Sequence, residues 1–395
     1  MSKSKPIFDW TLSEKSHWPP FARPEPPFGP TNLEIMRSCA LRVCFNASTG
    51  YERRTDYSAR IGIAFHQTLQ SLTEHPINAT SLEQIGPEAI RRFQAELAEQ
   101  ERRKSEHIRE QMLQPSEERV QRAMQSIVVE AQRIARNAGQ QRRIIRYKHT
   151  GEQEEHLAHI SNPPQGEGSI WAEVAVQSQD GLLSGRVDYA ERLPDGGVRL
   201  LDYKSALRND VPERYERQLQ IYALLWYETF GEWPIEAFLY YPLTGAMNQV
   251  QIQPNVCQQQ GGEARKLIKK FLENSSVASL AVPGSVCAVC DCRPWCQPFW
   301  KWQGGHKQPT EALTSAAYGF EGTIIRLELK EQYWRVTLKW RDAVVSLVAP
   351  QERFPQLHLA SIGTHIRVLD TRLQGLRARP KAIVNDRSEI FIVKQ

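Results

Sequence analysis

LLSGRVDYAERLPDGGVRLLDYKS, residues 182–205, is the stretch whose reading decides the fold. Two strand-like runs flank ERLPDGG, whose Pro, Asp and Gly residues are turn formers, so the segment predicts an antiparallel hairpin. In the second run Val198, Leu200, Asp202 and Lys204 share one face, because strand side chains alternate with period two; Tyr203 points the other way. An apolar face that ends in a carboxylate and an ammonium is costly to bury without a purpose. The first run carries Asp188. Two carboxylates on neighbouring strands can hold a divalent metal, and a lysine beside them suits metal-assisted phosphodiester hydrolysis. The plain alternative is a surface hairpin with solvated charges, since D-x-K alone is a weak signal.

The neighbouring stretches add to the first reading. SIWAEVAVQ, residues 169–177, predicts a strand that completes a meander, with Trp171, Glu173 and Ala175 on one face and Ala172, Val174 and Val176 on the other. Glu173 either joins the acidic group or sits at the surface. Residues 211–229 predict a helix begun near Pro212, with Leu219, Tyr222, Ala223 and Trp226 as its apolar stripe. Gln218 and Tyr222, four apart, can both turn toward the strand ends, or can be ordinary surface and core residues. EAFLYYPL at 236–243 is a further strand, and a basic helix covers about 261–274. Upstream, residues 31–45 form a short helix capped by Thr31 or Asn32 and containing Cys39 and Cys44. Residues 59–72 form another, on which Gly62 and His66 share a face. Gly62 gives up helix propensity and so implies close approach by another element. His66 is either a partly buried histidine or a ligand to metal or phosphate. Residues 83–146 are helical and highly charged, with Pro115 dividing two helices. Their basic clusters, Arg91-Arg92, Arg102-Arg103-Lys104 and Arg142-Arg143 with Arg146, belong either to solvated faces or to an arm over nucleic acid.

The chain has 395 residues, 41% hydrophobic content and a formal charge of +5, which suits a soluble, mildly basic globular protein compatible with nucleic acid. No transmembrane run, secretory segment or P-loop is present in the sequence, so the expectation is a cytoplasmic protein with no membrane association and no ATP motor of its own. Residues 1–30 are Pro-rich and expected to be irregular. The seven cysteines are odd in number and unevenly placed, which argues against a disulfide framework. Cys287, Cys290 and Cys296 have the spacing C-x2-C-x5-C, with Cys292 between them. Four thiolates can hold zinc or an iron–sulfur cluster; the local set suffices, or the distant Cys39 completes it. After a linker at 301–317, residues 318–395 supply five strands with a connector after the third, a small barrel plan most like an OB-fold. Such barrels bind single strands on a curved face, for which Arg326, Trp334, Arg335 and Trp340 are candidates.

Taken together, these motifs resemble the PD-(D/E)XK nuclease superfamily, and within it the RecB-like iron–sulfur nucleases of CRISPR adaptation and of helicase–nuclease complexes. GIAFH at 62–66 resembles the motif with the metal-site histidine, GRVDY the motif with the first aspartate, LDYKS the D-x-K motif and QLQIY the Q-x-x-x-Y motif. The resemblance implies an α/β fold: a restriction-endonuclease-like mixed-sheet core over 31–300, a helical insertion at about 80–165, an iron–sulfur staple, and the barrel as an addition. It implies that His66, Asp188, Asp202, Lys204, Gln218 and Tyr222 are catalytic. Mg²⁺ or Mn²⁺ would be held by His66, Asp188, Asp202 and the Tyr203 carbonyl. A [4Fe–4S] cluster would be held by Cys39, Cys287, Cys290 and Cys296. The function implied is metal-dependent cleavage of DNA, single-stranded or with single-stranded ends, in repair, CRISPR-related processing or phage defence, beside a separate helicase or defence partner. A non-catalytic DNA-binding scaffold and an RNA nuclease are the alternatives.

Overall fold

The structure is a computed structural model and describes residues 11–13, 23–48, 51, 54, 57–77, 82–105, 109, 117–139, 170–305, 319–376 and 378–394. Among the described residues the first elements are β1 (Thr11–Ser13), α1 (Pro30–Cys39), α2 (Leu41–Ala47), α3 (Tyr57–Glu74), α4 (Leu82–Ser105) and α5 (Glu117–Gly139). β2 (Ile170–Gln177), β3 (Ser184–Arg192), β4 (Val198–Tyr203), α6 (Glu213–Phe230), β5 (Glu236–Tyr241), β6 (Ala246–Val250) and α7 (Pro254–Glu273) follow. Three short 3₁₀ turns between Val277 and Trp295 lead into α8 (Gln297–Gly305). The last part comprises β7 (Phe320–Lys330), β8 (Tyr333–Trp340), β9 (Ala343–Pro350), β10 (His365–Leu369), β11 (Arg372–Leu376), β12 (Arg379–Ile383) and β13 (Glu389–Lys394).

The first sheet has the order β2-β3-β4-β5-β6. The β2–β3–β4 meander is antiparallel, as the hairpin reading expects, and only β4 and β5 run parallel, joined by α6 as the crossover. One face packs on α1, α2, α6 and α7 around Leu200, Leu219, Trp226 and Phe271; the other packs on α3, α4 and α5 around Phe65, Phe93, Ile127 and Tyr203. Burying both faces removes apolar surface from water on each side and fixes the strand register, since a slip of one residue would exchange the two sets.

The second sheet is an open half-barrel of order β1-β13-β10-β7-β8-β9-β12-β11. The five strands expected from sequence are β7, β8, β9, β10 and β13, with a 3₁₀ turn (Pro355–Leu359) after the third. Three strands are additional. The β11–β12 hairpin lies beside β9, and β1 runs parallel to β13, so the segment expected to be irregular supplies a strand to the far end of the chain.

Other differences are local. The helix expected at 31–45 breaks at Ala40 into α1 and α2, and its start is Gly29 followed by Pro30 at the first position, not a Thr31 or Asn32 cap. α7 begins at Pro254, earlier than its basic half suggests; Cys257, Gly261, Ala264 and Ile268 form its buried edge. Arg91 and Arg92 pair with Glu88, and Arg102 and Arg103 with Glu99, so these clusters are ion-paired helix faces. Pro115, Arg142, Arg143 and Arg146 lie outside the described residues. Among the described residues no helix is long and apolar enough to cross a membrane.

The half-barrel is fixed to the cysteine segment by buried charge. Arg109 donates through Nε and Nη2 to Glu389 at 2.7 and 2.8 Å, and its Nη1 donates to the Asp291 carbonyl at 3.0 Å. Arg293 binds both oxygens of Asp370 at 2.8 and 3.0 Å, and Arg54 reaches the same carboxylate at 3.2 Å. Arg367 donates to the Pro294 carbonyl at 3.0 Å. Leu12, Leu369, Phe391 and Val393 belong to the same apolar core as α1 and α6.

Candidate active site and cysteine-lined cavity

The site lies where β3 and β4 part. Their ladder closes at Tyr189↔Leu201. One step further, the Asp188 carboxylate takes the place of a backbone acceptor and receives the Tyr203 N–H at Oδ2, 2.8 Å away. The expected face assignment of β4 holds: Val198 and Leu200 lie in the α6-side core, and Leu201 and Tyr203 in the α3-side core. Asp202 is 3% exposed. Its Oδ2 accepts no hydrogen bond of good geometry, although Lys204 Nζ stands 2.6 Å away. Lys204 Nζ donates to Gln218 Oε1 at 3.0 Å and lies 4.8 Å from the centre of the Tyr215 ring. Tyr222, one turn beyond Gln218, is buried. Gly185 of GRVDY makes room for it, because a Cβ there would sit 2.6 Å from Tyr222 Cε1.

His66 approaches from α3. Its Nε2 is 3.1 Å from the Tyr203 carbonyl, an acceptor only, which places the ring proton on Nε2. Nδ1 faces Asp188 Oδ2 at 3.8 Å. The Tyr203 carbonyl, a candidate metal ligand, is thus already shared with His66. α3 can come this close because of Gly62: a Cβ there would lie 2.8 Å from Ser205 Cβ, just past Lys204. Gly62→Ala is therefore expected to shift α3 and His66 off the strand ends and to slow the reaction at this site by roughly 10–100-fold, as a misplacement near 1 Å can do. An unchanged rate for this variant would show that the contact is not needed.

Sequence reading missed Arg133 on α5. It donates to the hydroxyls of Tyr203 at 3.0 Å and Tyr189 at 3.3 Å, and so holds the two tyrosines that flank Asp188 and Lys204. No sequence signal marks it among the other arginines of that helix.

The electrostatics follow from burial. Burial pushes the Asp202 carboxyl up despite Lys204, with Asp188 adding to the rise. Burial pulls Lys204 down, but Asp202 and Asp188 outweigh it and hold the ammonium above its ordinary pKa. Lys204 is thus held as a charged hydrogen-bond donor beside Asp202 and Gln218. Burial and the Asp188 charge push Glu173 up to about 7. One ligand atom from each of His66, Glu173 and Asp188 lies within 4.8 Å of the others. Carboxylate oxygens with one imidazole nitrogen form a donor set that fits Mg²⁺ or Mn²⁺.

Cys39, Cys287, Cys290, Cys292 and Cys296 line one cavity, together with Arg42, Phe45 and Phe299. The cavity joins α1 to the segment after α7. Cys44 is fully buried but does not line it, and Cys257 packs against Ala223 and Leu224. Among the described residues no three of these sulfurs lie within 4.8 Å of one another. That spread exceeds the ~3.8 Å sulfur–sulfur separation implied by tetrahedral Zn–S bonds of about 2.3 Å. All seven thiols are free of disulfides.

In the half-barrel, Trp334 is buried with Val336 and Leu338, and Trp340 packs partly against them, so Trp334 is an interior residue and not a surface contact. Arg326 and Arg335 are exposed.

Comparison with known proteins gives one match of family scale. The family model of the PD-(D/E)XK nuclease superfamily matches residues 27–297. A search of curated proteins finds no match. Among solved structures, the solution NMR structure of the replication factor A related protein from Methanobacterium thermoautotrophicum aligns at 16% identity over 22% of this chain and 91% of its own, with a TM-score of 0.19. The crystal structure of SSO0001 aligns at 14% identity over 60% of this chain and 95% of its own, with a TM-score of 0.22. At these scores neither structure carries an argument.

Proposed function

Because the chain belongs to the PD-(D/E)XK nuclease superfamily, we propose that it is a metal-dependent DNA nuclease acting on single-stranded DNA or on DNA with single-stranded ends. The observation that carries this reading is the convergence of Asp188, Asp202, Lys204 and Gln218 at the point where β3 and β4 separate. Mg²⁺ or Mn²⁺ would be held by Asp188, Asp202, His66 and the second lone pair of the Tyr203 carbonyl, and would supply charge neutralisation at the phosphate and a water of lowered pKa. Lys204, kept charged by Asp202, stabilises negative charge gathering on the scissile phosphate. Gln218 holds the Lys204 ammonium in place, and Tyr222 packs behind it. His66, its proton fixed by the Tyr203 carbonyl, presents Nδ1 to the pocket. Asp188, anchored by the Tyr203 N–H, keeps its carboxylate aimed where the strands part.

A [4Fe–4S] cluster on Cys39, Cys287, Cys290 and Cys296 is supported by their sharing one cavity, and would staple α1 to the segment after α7 without a redox role. Cys292 is the fifth thiol of the same cavity.

The preference for single strands is supported by the outer face of β8, β9 and β12. These strands contain no acidic residue. Arg335, Lys339 and Lys381 stand exposed beside Tyr333, Val344 and Val348, with Arg335 opposite Val348 and Lys339 opposite Val344. Cations interleaved with flat apolar surface suit a phosphate backbone and unstacked bases. Work on DNA ends in repair, CRISPR-related processing or phage defence, beside a separate helicase, fits this chemistry.

The test uses anaerobically purified full chain on matched single-stranded DNA and RNA. The expected result is DNA cleavage by a brown, iron-containing protein. Cleavage of RNA alone would replace the DNA assignment, and a colourless, zinc-loaded protein would remove the iron–sulfur assignment.

A further inference from the structure

We infer that Glu173 is a ligand of the metal centre, sharing the cation with Asp188 and His66 Nδ1. The inference rests on the nuclease reading above, and the motifs that carry that reading assign nothing to Glu173.

Two linked features of the backbone direct this side chain. The first is its conformation. Glu173 has φ +55°, in the left-handed region, within a strand whose pairing to β3 keeps one register on both sides. A residue with a Cβ disfavours that region, and glycine or asparagine would be the ordinary choice. The second is a break in alternation. Trp171, Val174 and Val176 all belong to the α6-side core, which odd and even positions can share only if the strand turns over between them. The turn-over lies at Ala172 and Glu173, consecutive residues that both line the pocket of His66. β3 does the same directly opposite. Val187 and Ala190 belong to the α6-side core, while Asp188 and Tyr189 line the same pocket. Two facing strands therefore invert together, and the result is two carboxylates aimed into one space. Irregularities of this kind in sheets re-aim side chains beside active sites.

What the strained residue reaches is the trio already described, with ligand atoms within 4.8 Å of one another. Among the described residues the Glu173 carboxylate makes no hydrogen bond; the cation near it is Arg186 Nε at 3.8 Å. Arg186 is 42% exposed, and a long exposed pair does not account for a left-handed backbone in mid-strand. A cation held by Asp188, His66 and Glu173 does.

The test is Mn²⁺ binding to the full chain without DNA, read by titration calorimetry or by the electron paramagnetic resonance of free Mn²⁺. Four proteins are compared: wild type, Glu173→Gln, Asp188→Asn and Arg186→Met. Groups that only support a ligand are worth roughly 10–100-fold in metal affinity, and a ligand should be worth at least that. Glu173→Gln is thus expected to weaken Mn²⁺ by at least about tenfold, as Asp188→Asn does, while Arg186→Met binds as wild type. Loss in Arg186→Met equal to that in Glu173→Gln overturns the inference in favour of a simple ion pair. Wild-type affinity in Glu173→Gln, with loss in Asp188→Asn, overturns it while sparing the nuclease reading. Wild-type affinity in both removes the metal centre itself. Should Glu173→Gln melt early, Glu173→Gly accepts the left-handed backbone, keeps the turn-over and must lose Mn²⁺ affinity to the same extent.

Discussion

Asp202→Asn is expected to lower DNA cleavage on the order of 10³-fold, with DNA binding retained. The substitution keeps the side chain's shape and removes the charge that Lys204 faces at 2.6 Å. It thereby takes away a metal-binding oxygen and half of the ion pair that positions the ammonium. On the proposed reading, DNA binding draws on cations spread over the half-barrel and would not be touched. Stability of the metal-free protein separates loss of chemistry from loss of fold. The Asp202 carboxyl is pushed up by burial, so its charged form costs folding free energy. A carboxyl raised in the folded state lowers stability as pH rises from its unfolded value through its folded one. Asparagine removes that cost, and Lys204 keeps Gln218 as a partner. Against that gain stands the buried Lys204 ammonium, which loses its counter-charge, so the two effects oppose each other and the metal-free variant is expected to keep a cooperative thermal melt, checked by circular dichroism at neutral pH. A cleavage rate equal to wild type at saturating Mn²⁺ would mean that the reacting site lies elsewhere.

Glu389→Ala is expected to destabilise the chain by about 3–5 kcal/mol, the cost of leaving a buried charge without its partner. Glu389 is 2% exposed and Arg109 3%, and the two meet through paired hydrogen bonds. Arg54 lies 3.9 Å from the same carboxylate and would be left with Asp370 and Asp291. Burial raises the Glu389 pKa, but Arg109, with Arg54 and Arg293 behind it, outweighs burial and holds the carboxyl below its ordinary value. The sign follows. A depressed carboxyl contributes stability above its unfolded pKa of about 4.3, and that stability is lost as pH falls through the folded value. Denaturant melts of wild type and variant should thus differ most near neutrality and converge in acid. A constant gap at all pH values would show that the carboxylate charge is not what holds the half-barrel down.

Much of the site was legible in residues 182–205 alone. Period-two alternation placed Asp202 and Lys204 together and Tyr203 opposite, and the i,i+4 relation placed Gln218 and Tyr222 behind them. Gly62 announced a close approach before its neighbour, Ser205, could be named. The same rule places Trp334 inside the barrel, because it shares parity with Val336 and Leu338, although an aromatic side chain also suits a stacking contact with a base. Other features had no local signal. β1 is three residues long and pairs with the last strand of the chain, a partner that local pattern cannot reveal. Arg54 and Arg109 look like ordinary polar-segment arginines until the half-barrel closes over them. Glu173 misled the alternation count for a physical reason: the strand turns over at that residue, which is where a period-two rule must fail.

The central claim is that Asp188, Asp202 and Lys204 cut DNA with a divalent metal. It is tested most directly by end-labelled single-stranded and duplex DNA incubated with the anaerobically purified full chain, with Mn²⁺ or with EDTA, Asp202→Asn run alongside. The account predicts fragments from single-stranded DNA with Mn²⁺, none with EDTA and almost none from the variant. Intact DNA in every wild-type reaction, or equal cleavage by wild type and variant, would contradict it.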